Sequence, residues 1–188
     1  MNLKRLTRAI VCLPFTFLKF CLMKIFNGNR FKFHYLELFS PLSEVSISKG
    51  GVIKLGKLVR AQSGTRIRAR ENATLIIGKN TAFNTGCVVT CRYNIKIGEG
   101  VEFGPNVLIY DHDHDFRIEG GIKAKSYKYG NVEIGNNVWI GANTVILRGT
   151  KIGDNSVVGA GSIIRGEYPA NSIIVQKRQT EVKPYKTE

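Results

Sequence analysis

The strongest constraint on this chain is a six-residue repeat in its C-terminal half. An aliphatic residue recurs at every sixth position, at Ile134, Ile140, Ile146, Ile152, Val158 and Ile164. Glycine follows four of these six, and a small or β-branched residue often lies four places after the aliphatic one. Neither the helical period of 3.6 nor the strand period of 2 accounts for this spacing. Three hexapeptides, each one short strand and one turn, predict a triangular coil whose aliphatic residues stack on those of the next coil.

The same spacing continues upstream with interruptions. Three further sets have members six positions apart: Ile97, Phe103 and Ile109; Ile77, Phe83 and Val89; and, more weakly, Ile47, Ile53 and Val59. The offsets between the sets predict longer turns. We therefore predict a parallel β-solenoid over residues 45–175, preceded by a basic, apolar and helical segment over 1–44 and followed by a tail over 176–188. The period alone does not give the handedness of the coil.

The N-terminal segment is apolar between residues 9 and 26, and basic residues precede it. Lys19 and Lys24 interrupt the apolar run, Pro14 weakens a regular helix, and no small-residue cleavage site follows as in a signal peptide. Two interpretations stay open. The segment packs as a helix on the body of the protein or on a neighbouring subunit, or residues 1–30 lie on the inner face of a membrane.

The formal net charge of +14 raises the question of a nucleic-acid partner. The chain contains no helix-turn-helix pattern, zinc-finger spacing or RNP-like aromatic motif, so we expect none; an acidic ligand or a membrane surface also suits this charge. The four cysteines form no CxxC pair, which favours buried, reduced thiols in a cytoplasmic protein. We expect no metal site.

The repeat breaks between Ile109 and Ile134, a gap that is not a multiple of six. We predict that a loop over residues 111–131 leaves the coil there, and long loops in regular folds are usually functional. The loop begins with the sequence DHDHD, which holds two of the chain's three histidines. Histidine is the side chain whose ordinary pKa suits a base at neutral pH, and neighbouring carboxylates orient an imidazole. The candidate catalytic and orienting residues are therefore His112, His114, Asp111, Asp113 and Asp115.

Two stretches carry a resemblance to a known family. The run IGNNVWIGANTVILRGTKIGDNSVVGAGSII resembles the hexapeptide-repeat acyltransferase superfamily, whose coils are left-handed. The run FNTGCVVTCRYNIKIGEGVEFGPNVLIYDHDHDF resembles its sugar O-acetyltransferase branch, which includes galactoside and maltose acetyltransferases and capsule- or lipopolysaccharide-modifying enzymes. The resemblance covers residues 45–175. It implies a cytoplasmic homotrimer that moves an acetyl group from acetyl-CoA to the hydroxyl of a sugar, free or lipid-linked, in surface polysaccharide or lipopolysaccharide biosynthesis.

The resemblance also implies roles for individual residues. Carried over without a gap from the segment Pro105-Asn106-Val107, the family's catalytic histidine falls on His114, with His112 as its orienting partner or substitute. Asn84 takes the place of an acceptor-binding asparagine. Arg92 stands where the family has aspartate, so we expect a different acceptor.

In the family, acyl-CoA lies in a groove between the coils of adjacent subunits. The matching groove positions are Trp139, Gly141, Ala142, Gly159 and Ala160. The candidate contacts to the CoA phosphates are Arg165, Lys177 and Arg178. Other functions stay open: transfer to an amino sugar or a xenobiotic, a non-catalytic scaffold, or a γ-class carbonic anhydrase, whose third zinc ligand would have to be His34.

Overall fold

The hexapeptide pattern folds into parallel sheets that form the sides of a triangular coil. The computed structural model describes residues 3–177, 179 and 181–183, with side chains from Ile10 onward. Over this range the chain is a left-handed parallel β-helix of about six turns with one N-terminal helix and one protruding loop. The fold class predicted from the repeat and the resemblance is confirmed.

The strands are numbered along the chain, and every third coil strand joins the same sheet. The first sheet contains β1 (Phe31–Lys32), β4 (Val52–Leu55), β7 (Thr74–Ile77), β10 (Asn94–Ile97), β15 (Val132–Ile134), β18 (Lys151–Ile152) and β21 (Glu167–Tyr168). The second contains β2 (Leu38–Phe39), β5 (Arg60–Ala61), β8 (Ala82–Phe83), β11 (Glu102–Phe103), β16 (Trp139–Ile140), β19 (Val157–Val158) and β22 (Ile173–Ile174). The third contains β3 (Glu44–Ile47), β6 (Arg66–Ala69), β9 (Val88–Cys91), β12 (Leu108–Tyr110), β17 (Val145–Ile146) and β20 (Ile163–Ile164).

The core is a column in which each coil stacks its inward residues on those of the next. All six aliphatic residues of the C-terminal repeat are at most 2% exposed. In the second sheet, Phe83 pairs with Phe103 and Phe103 with Ile140, and the two phenylalanine rings stack 4.6 Å apart. Each large apolar side chain buried in this way contributes about 1.5–3 kcal/mol, so the column is the main source of stability.

The weakest upstream set points inward as predicted, but it is offset from the set that follows it. Ile53 and Val59 are buried, but the register pairs Leu55 with Ile77 and Ala61 with Phe83. The four-residue strand β4 buries both Ile53 and Leu55, so aliphatic residues six apart occur there in two registers. Coil pairing also begins at Phe31, upstream of the predicted start at residue 45, because β1 pairs with β4 without any hexapeptide punctuation.

The corners of the coil are held by hydroxyl groups and by residues with positive φ. Thr144 Oγ1 donates to the Gly141 carbonyl at 2.8 Å, and Ser162 Oγ donates to the Gly159 carbonyl at 2.7 Å. The turns place asparagine in the left-handed region that this residue tolerates, for example Asn143 at φ 56° and Asn155 at φ 56°. The repeat therefore encodes the strand, the corner and the turn together.

Helix α1 (Leu3–Asn27) and a short 3-10 helix (Gly28–Arg30) precede the coil. The helix continues through Pro14, whose ring is exposed. Phe20 is fully buried, with its ring 4.9–5.5 Å from those of Phe31, Phe33 and Phe39. Thr16 Oγ1 donates to the Phe39 carbonyl at 3.1 Å. One face of the helix thus covers the N-terminal end of the column, which would otherwise expose apolar rings and strand edges.

The opposite face of α1 is exposed and apolar. Between residues 10 and 26, every exposed residue is apolar: Ile10, Val11, Pro14, Phe15, Phe17, Leu18, Leu22, Ile25 and Phe26. The two lysines of this stretch are tied to carbonyl groups, Lys19 to Ser43 at 2.8 Å and Lys24 to Gly28 at 2.8 Å. By length and composition alone, residues 10–30 would suffice to cross a membrane.

Candidate active site

The predicted loop leaves the coil where the sheet register ends. The chain departs after β12 and re-enters the first sheet at β15. Between them, β13 (His112–His114) and β14 (Tyr127–Tyr129) pair as an antiparallel ribbon, with His112 opposite Tyr129 and His114 opposite Tyr127. Another short 3-10 helix, Gly121–Ala124, lies in the loop. The ribbon fixes both histidines at the side of the coil.

Asp111 occupies the point of departure and is fully buried. In the preceding coils, the carbonyl of one strand accepts the N–H of the strand before it, as Cys91 O does from Arg70 at 2.8 Å. At Asp111 the side-chain carboxylate replaces the backbone carbonyl as the acceptor. It accepts the N–H groups of Arg92 at 2.9 Å and Tyr93 at 2.7 Å. Its Oδ1 also lies 2.9 Å from His112 Nδ1. One carboxylate therefore closes the coil and orients an imidazole.

Burial alone raises the pKa of Asp111, but the hydrogen bonds from His112 and from the N–H groups of Arg92 and Tyr93 outweigh it, so the pKa lies below its usual value. An ionised carboxylate only accepts hydrogen bonds, so Nδ1 of His112 carries the hydrogen. In neutral His112 the lone pair then lies on Nε2, the arrangement that a general base requires. Only 11% of the His112 side chain is exposed.

His114 and the other two aspartates have different surroundings. His114 is exposed, and its ring lies 4.7 Å from that of Tyr127 without a carboxylate partner in the described chain. Asp113 pairs with Arg148, and Asp115 pairs with Lys128 at 3.3 Å. The first pair ties the ribbon to the coil and the second lies within the loop, so neither carboxylate orients an imidazole, which corrects the role predicted for them.

A cleft beside the ribbon carries basic residues. The guanidinium carbon of Arg92 lies 4.0 Å from the ring centroid of Tyr127, and the His112 ring lies 5.5 Å from the same ring. Arg70 and Lys125 line the cleft with Arg92. Tyr127 thus joins the histidine to a basic surface.

Comparisons with known proteins bear on what this site does. The family model described as "Bacterial transferase hexapeptide (six repeats)" matches residues 131–166. "Galactoside O-acetyltransferase" of Escherichia coli is 39% identical over 97 residues, which are 52% of this chain and 47% of that protein. "Putative lipopolysaccharide biosynthesis O-acetyl transferase WbbJ" of Escherichia coli is 28% identical over 76% of each chain. "Putative acetyltransferase YJL218W" of Saccharomyces cerevisiae is 31% identical over 157 residues, which are 81% of this chain and 78% of that one.

The chain belongs to the hexapeptide-repeat acetyltransferase superfamily. Its match spans about half the length of the galactoside O-acetyltransferases of Escherichia coli and Lactococcus lactis. A mutant of AntD, an N-acyltransferase from Bacillus cereus in complex with dTDP and coenzyme A, has a TM-score of 0.64. It is 21% identical over 88% of each chain, a likeness that shows the fold alone.

Small residues stack at one corner of the coil. Gly104, Gly141 and Gly159 each directly follow a strand of the second sheet in successive coils. A Cβ on Gly141 would lie 2.5 Å from the backbone nitrogen of Ala160, and one on Gly104 would lie 2.6 Å from that of Ala142. The four predicted positions Gly141, Ala142, Gly159 and Ala160 thus form one strip of small side chains and backbone.

The other predicted cofactor positions divide between two corners. Trp139 is 57% exposed on the outer face of β16, directly before the strip. Lys177 is exposed shortly after β22, in the coil that follows the strip. Arg165 is exposed after β20, at the next corner, so it does not line the same strip. Arg178 lies outside the described residues.

The predicted acceptor residues are also separated. Asn84 lies at the corner between the second and third sheets, and its Oδ1 accepts the N–H of Thr85 at 2.8 Å. His112 follows the third sheet at the next corner. Within one chain, Asn84 therefore does not share a corner with the histidine, whereas Arg92 does.

Sequence reasoning missed Arg70, Lys125 and Tyr127, which meet at the cleft. The signal available was the 22-residue separation of Arg70 and Arg92, one coil of the upstream solenoid. The thiols offer no alternative nucleophile near His112: burial raises the pKa of Cys91, which donates to Asp111 Oδ2 at 3.2 Å. The described residues contain no cluster of three His, Cys, Asp or Glu side chains suited to a metal ion, and His34 lies in the first coil, on the β1–β2 connection.

Proposed function

We propose that the protein is an acyltransferase that moves an acetyl group from acetyl-CoA to a sugar hydroxyl, with His112 as the general base. The observation that carries the proposal is the Asp111–His112 pair at the root of the ribbon, 2.9 Å apart and largely shielded from solvent. Membership of the superfamily supplies the reaction class. The strip of small residues supplies a surface that an extended pantetheine arm can approach closely.

The chemistry needs no covalent enzyme intermediate. Nε2 of His112 takes the proton of the acceptor hydroxyl as its oxygen attacks the thioester carbonyl. A backbone N–H stabilises the oxyanion, and the carbon–sulfur bond then breaks. The CoA thiolate takes the proton back from His112, which restores the neutral imidazole. Asp111 stabilises the positive charge that His112 carries between these steps.

This assignment replaces His114 with His112 as the base. The gap-free transfer from Pro105-Asn106-Val107 favours His114, but His112 has the buried carboxylate partner and His114 is exposed without one. We assign His114 to the wall of the acceptor site, where its ring contacts Tyr127. Trp139 and Lys177 remain the proposed contacts to CoA, with Arg178 as a further candidate.

Thiol release from acetyl-CoA in the presence of a panel of sugars tests the proposal. We expect His112→Ala to lower kcat by roughly 10²- to 10⁴-fold, the usual contribution of a positioned base. His114→Ala is the matched control and should lower it less than tenfold. Full activity in His112→Ala would overturn the assignment of the base, and failure of the wild-type protein to bind CoA or release thiol would overturn the reaction class.

We propose that the active form is a homotrimer with shared sites. Asn84 and His112 lie at different corners of the β-helix, in adjacent coils, so an acceptor that contacts both has to lie between two subunits. Mixing Asn84→Ala and His112→Ala subunits should restore part of the activity that each variant lacks, because some mixed interfaces hold both native residues. Light scattering should give three times the chain mass, and a monomeric, fully active protein would contradict the proposal.

For the acceptor we propose a sugar of surface polysaccharide or lipopolysaccharide biosynthesis. The relatives named for galactoside O-acetylation and lipopolysaccharide O-acetylation support a hydroxyl acceptor, whereas AntD is named as an N-acyltransferase. An amino-sugar or xenobiotic acceptor would appear as amide formation in the product. A carbonic anhydrase would hold zinc and release no thiol. A non-catalytic scaffold would neither hold zinc nor release thiol.

We propose that the protein works in the cytoplasm at the inner face of the membrane, with α1 in the lipid surface. The helix cannot span the bilayer while Thr16 and Lys19 hold it along the coil, so it would lie in the plane of the interface. Its exposed face between residues 10 and 26 carries no charged side chain, and the net charge of +14 favours anionic headgroups.

Co-sedimentation with anionic and with zwitterionic vesicles tests this placement. We expect the wild-type protein to bind the anionic vesicles and the variant Ile25→Ser/Phe26→Ser to lose most of that binding. Ile173→Ser is the control, because Ile173 is as exposed as Ile25 but lies at the other end of the coil. If the double variant instead lowers the oligomer mass and leaves vesicle binding unchanged, the face is a subunit contact.

A further inference from the structure

The cleft beside the ribbon holds a concentration of positive charge that the proposed chemistry does not use. It has a volume of about 470 Å³, and its lining includes Arg70, Arg92, Lys125, Glu71, Tyr127 and Tyr129. Three cations face one carboxylate, which leaves two positive charges in excess.

Three cations near the cleft are already paired within the chain. Arg68 pairs with Glu44, Lys128 with Asp115 and Arg148 with Asp113. Arg70, Arg92 and Lys125 make no salt bridge with any residue that the structure describes, and the buried Nε of Arg70 has no hydrogen-bond partner there. Because no carboxylate of the described chain neutralises these three side chains by a salt bridge, their charges are available to an anion supplied from outside the chain.

The strand register places this charge next to the proposed base. Ala69 pairs with Cys91, so Arg70 and Arg92 occupy equivalent turn positions in successive coils. Thr90 pairs with Tyr110, which makes His112 the next position in that series. Neighbouring strands lie about 4.8 Å apart, so the two arginines begin about one and two rungs from the histidine. Tyr127 contacts both Arg92 and His112.

We propose that this cleft binds the phosphate groups of a phosphate-bearing acceptor, so that the substrate is a sugar carried on a pyrophosphate. The inference rests on the proposed function, because it treats the cleft as the acceptor side of that site. The two excess positive charges match a pyrophosphate diester, and planar guanidinium groups bind phosphate oxygens in pairs. Tyr127 and Tyr129 offer ring surfaces to the part of the acceptor beside the phosphates.

Two sources of this chemistry fit the cleft, a nucleoside-diphosphate sugar and a sugar on a lipid pyrophosphate. The edge of the cleft lies beside the end of the N-terminal helical region, because Arg30 Nη1 donates to the carbonyl of Ser48, which also lines the cleft, at 3.3 Å. A membrane-bound α1 would therefore bring the cleft close to the lipid surface. Activity with each acceptor, the lipid form in vesicles, distinguishes the sources.

Binding of inorganic pyrophosphate to the full chain tests the cleft without any acyl donor. We expect calorimetric binding that weakens with salt, and a loss of at least tenfold in affinity in Arg70→Gln and in Arg92→Gln. Lys123→Gln is the control for Lys125→Gln, since Lys123 is exposed in the same loop but does not line the cleft. Circular dichroism confirms the fold of each variant, and Arg92→Lys should recover part of the affinity. Equal pyrophosphate affinity in wild type and both arginine variants would overturn the proposal.

Kinetics then separate this inference from the proposed function. We expect the ratio of kcat/KM for a pyrophosphate-linked sugar to that for its neutral glycoside to fall at least tenfold in Arg70→Gln and Arg92→Gln, mainly through KM. Thiol release with equal preference for the neutral glycoside, or a preference for a uronic acid that lacks phosphate, would sink the inference while leaving the acetyltransferase intact. Absence of CoA binding would sink the proposed function, and the pyrophosphate titration would still decide the cleft.

Discussion

Oδ1 of Asp111 lies 2.9 Å from Nδ1 of His112, and the same carboxylate accepts the N–H groups that the preceding coil leaves open at Arg92 and Tyr93. One side chain therefore orients the proposed base and also supplies the hydrogen bonds that join the coil ending at β12 to the coil before it. Catalysis and stability should respond together when it is changed.

Asp111→Asn should lower the free energy of unfolding by about 3 kcal/mol, because it removes a buried, fully hydrogen-bonded charge, and it should also lower kcat. Asp115→Asn, at a partly exposed ion pair with Lys128, should cost less than about 1 kcal/mol. The lowered pKa of Asp111 means that this part of the stability is present above the unfolded value of 3.8 and is lost as pH falls through the lower folded value. Urea unfolding between pH 2 and 7 should show the free energies of unfolding of wild type and Asp111→Asn converging in acid. A difference between them that stays constant with pH would contradict an ionised Asp111 in the folded protein.

Glu37 should give the opposite pH dependence. Burial raises its pKa to about 7, although the N–H of His34 donates to one of its oxygens at 2.8 Å. The folded protein then holds the proton more tightly than the unfolded chain, whose value is 4.5. Stability is complete below that value and falls by about 3 kcal/mol as pH rises past 7, at about 1.4 kcal/mol per pK unit. In thermal unfolding scans, Glu37→Gln should remove this fall of stability with pH, and its Tm at pH 8 should exceed that of wild type. A Tm below that of wild type at pH 8 would refute the prediction.

The hexapeptide pattern predicted the downstream coils because each of those repeats buries one aliphatic residue, as at Ile140 and Ile146. It failed where strands lengthen to four residues and bury two, as β4 does with Ile53 and Leu55. It also could not locate β1, which pairs with the coil through Phe31 without any repeat signal.

The sequence predicted which segment carries the candidate site, but not how its side chains are arranged in space. The broken period identifies the loop and its two histidines. The choice between His112 and His114 depends on the contacts of Asp111. Its carboxylate lies between two coils, and the spacing of residues in the sequence does not reveal those contacts. Arg70 and Lys125 are far apart in sequence and meet only because a coil turn and the ribbon converge.

Phe20 should dominate the attachment of α1 to the coil. It is fully buried against three phenylalanine rings, so Phe20→Ala should lower the free energy of unfolding by about 3–5 kcal/mol. Phe17→Ala, on the exposed face at 50% exposure, should change it by less than about 1 kcal/mol. Urea titrations followed by circular dichroism give both values, and similar losses in the two variants would mean that the helix is not anchored through Phe20.

The strip of small residues should tolerate a methyl group at one position and not at another. A Cβ on Gly141 would lie 2.5 Å from the backbone nitrogen of Ala160 and 2.8 Å from the carbonyl oxygen of Val158, and backbone atoms in a stacked coil cannot move aside independently. A Cβ on Gly159 would meet first the Cγ1 atom of Val175 at 3.0 Å, which a side-chain rotation can relieve. Gly141→Ala should therefore cost about 2 kcal/mol or more in urea unfolding, and Gly159→Ala less than about 1 kcal/mol. If both variants unfold like wild type, adjacent coils are not packed as closely at this corner as the structure places them, and the surface proposed for CoA would have to be redrawn.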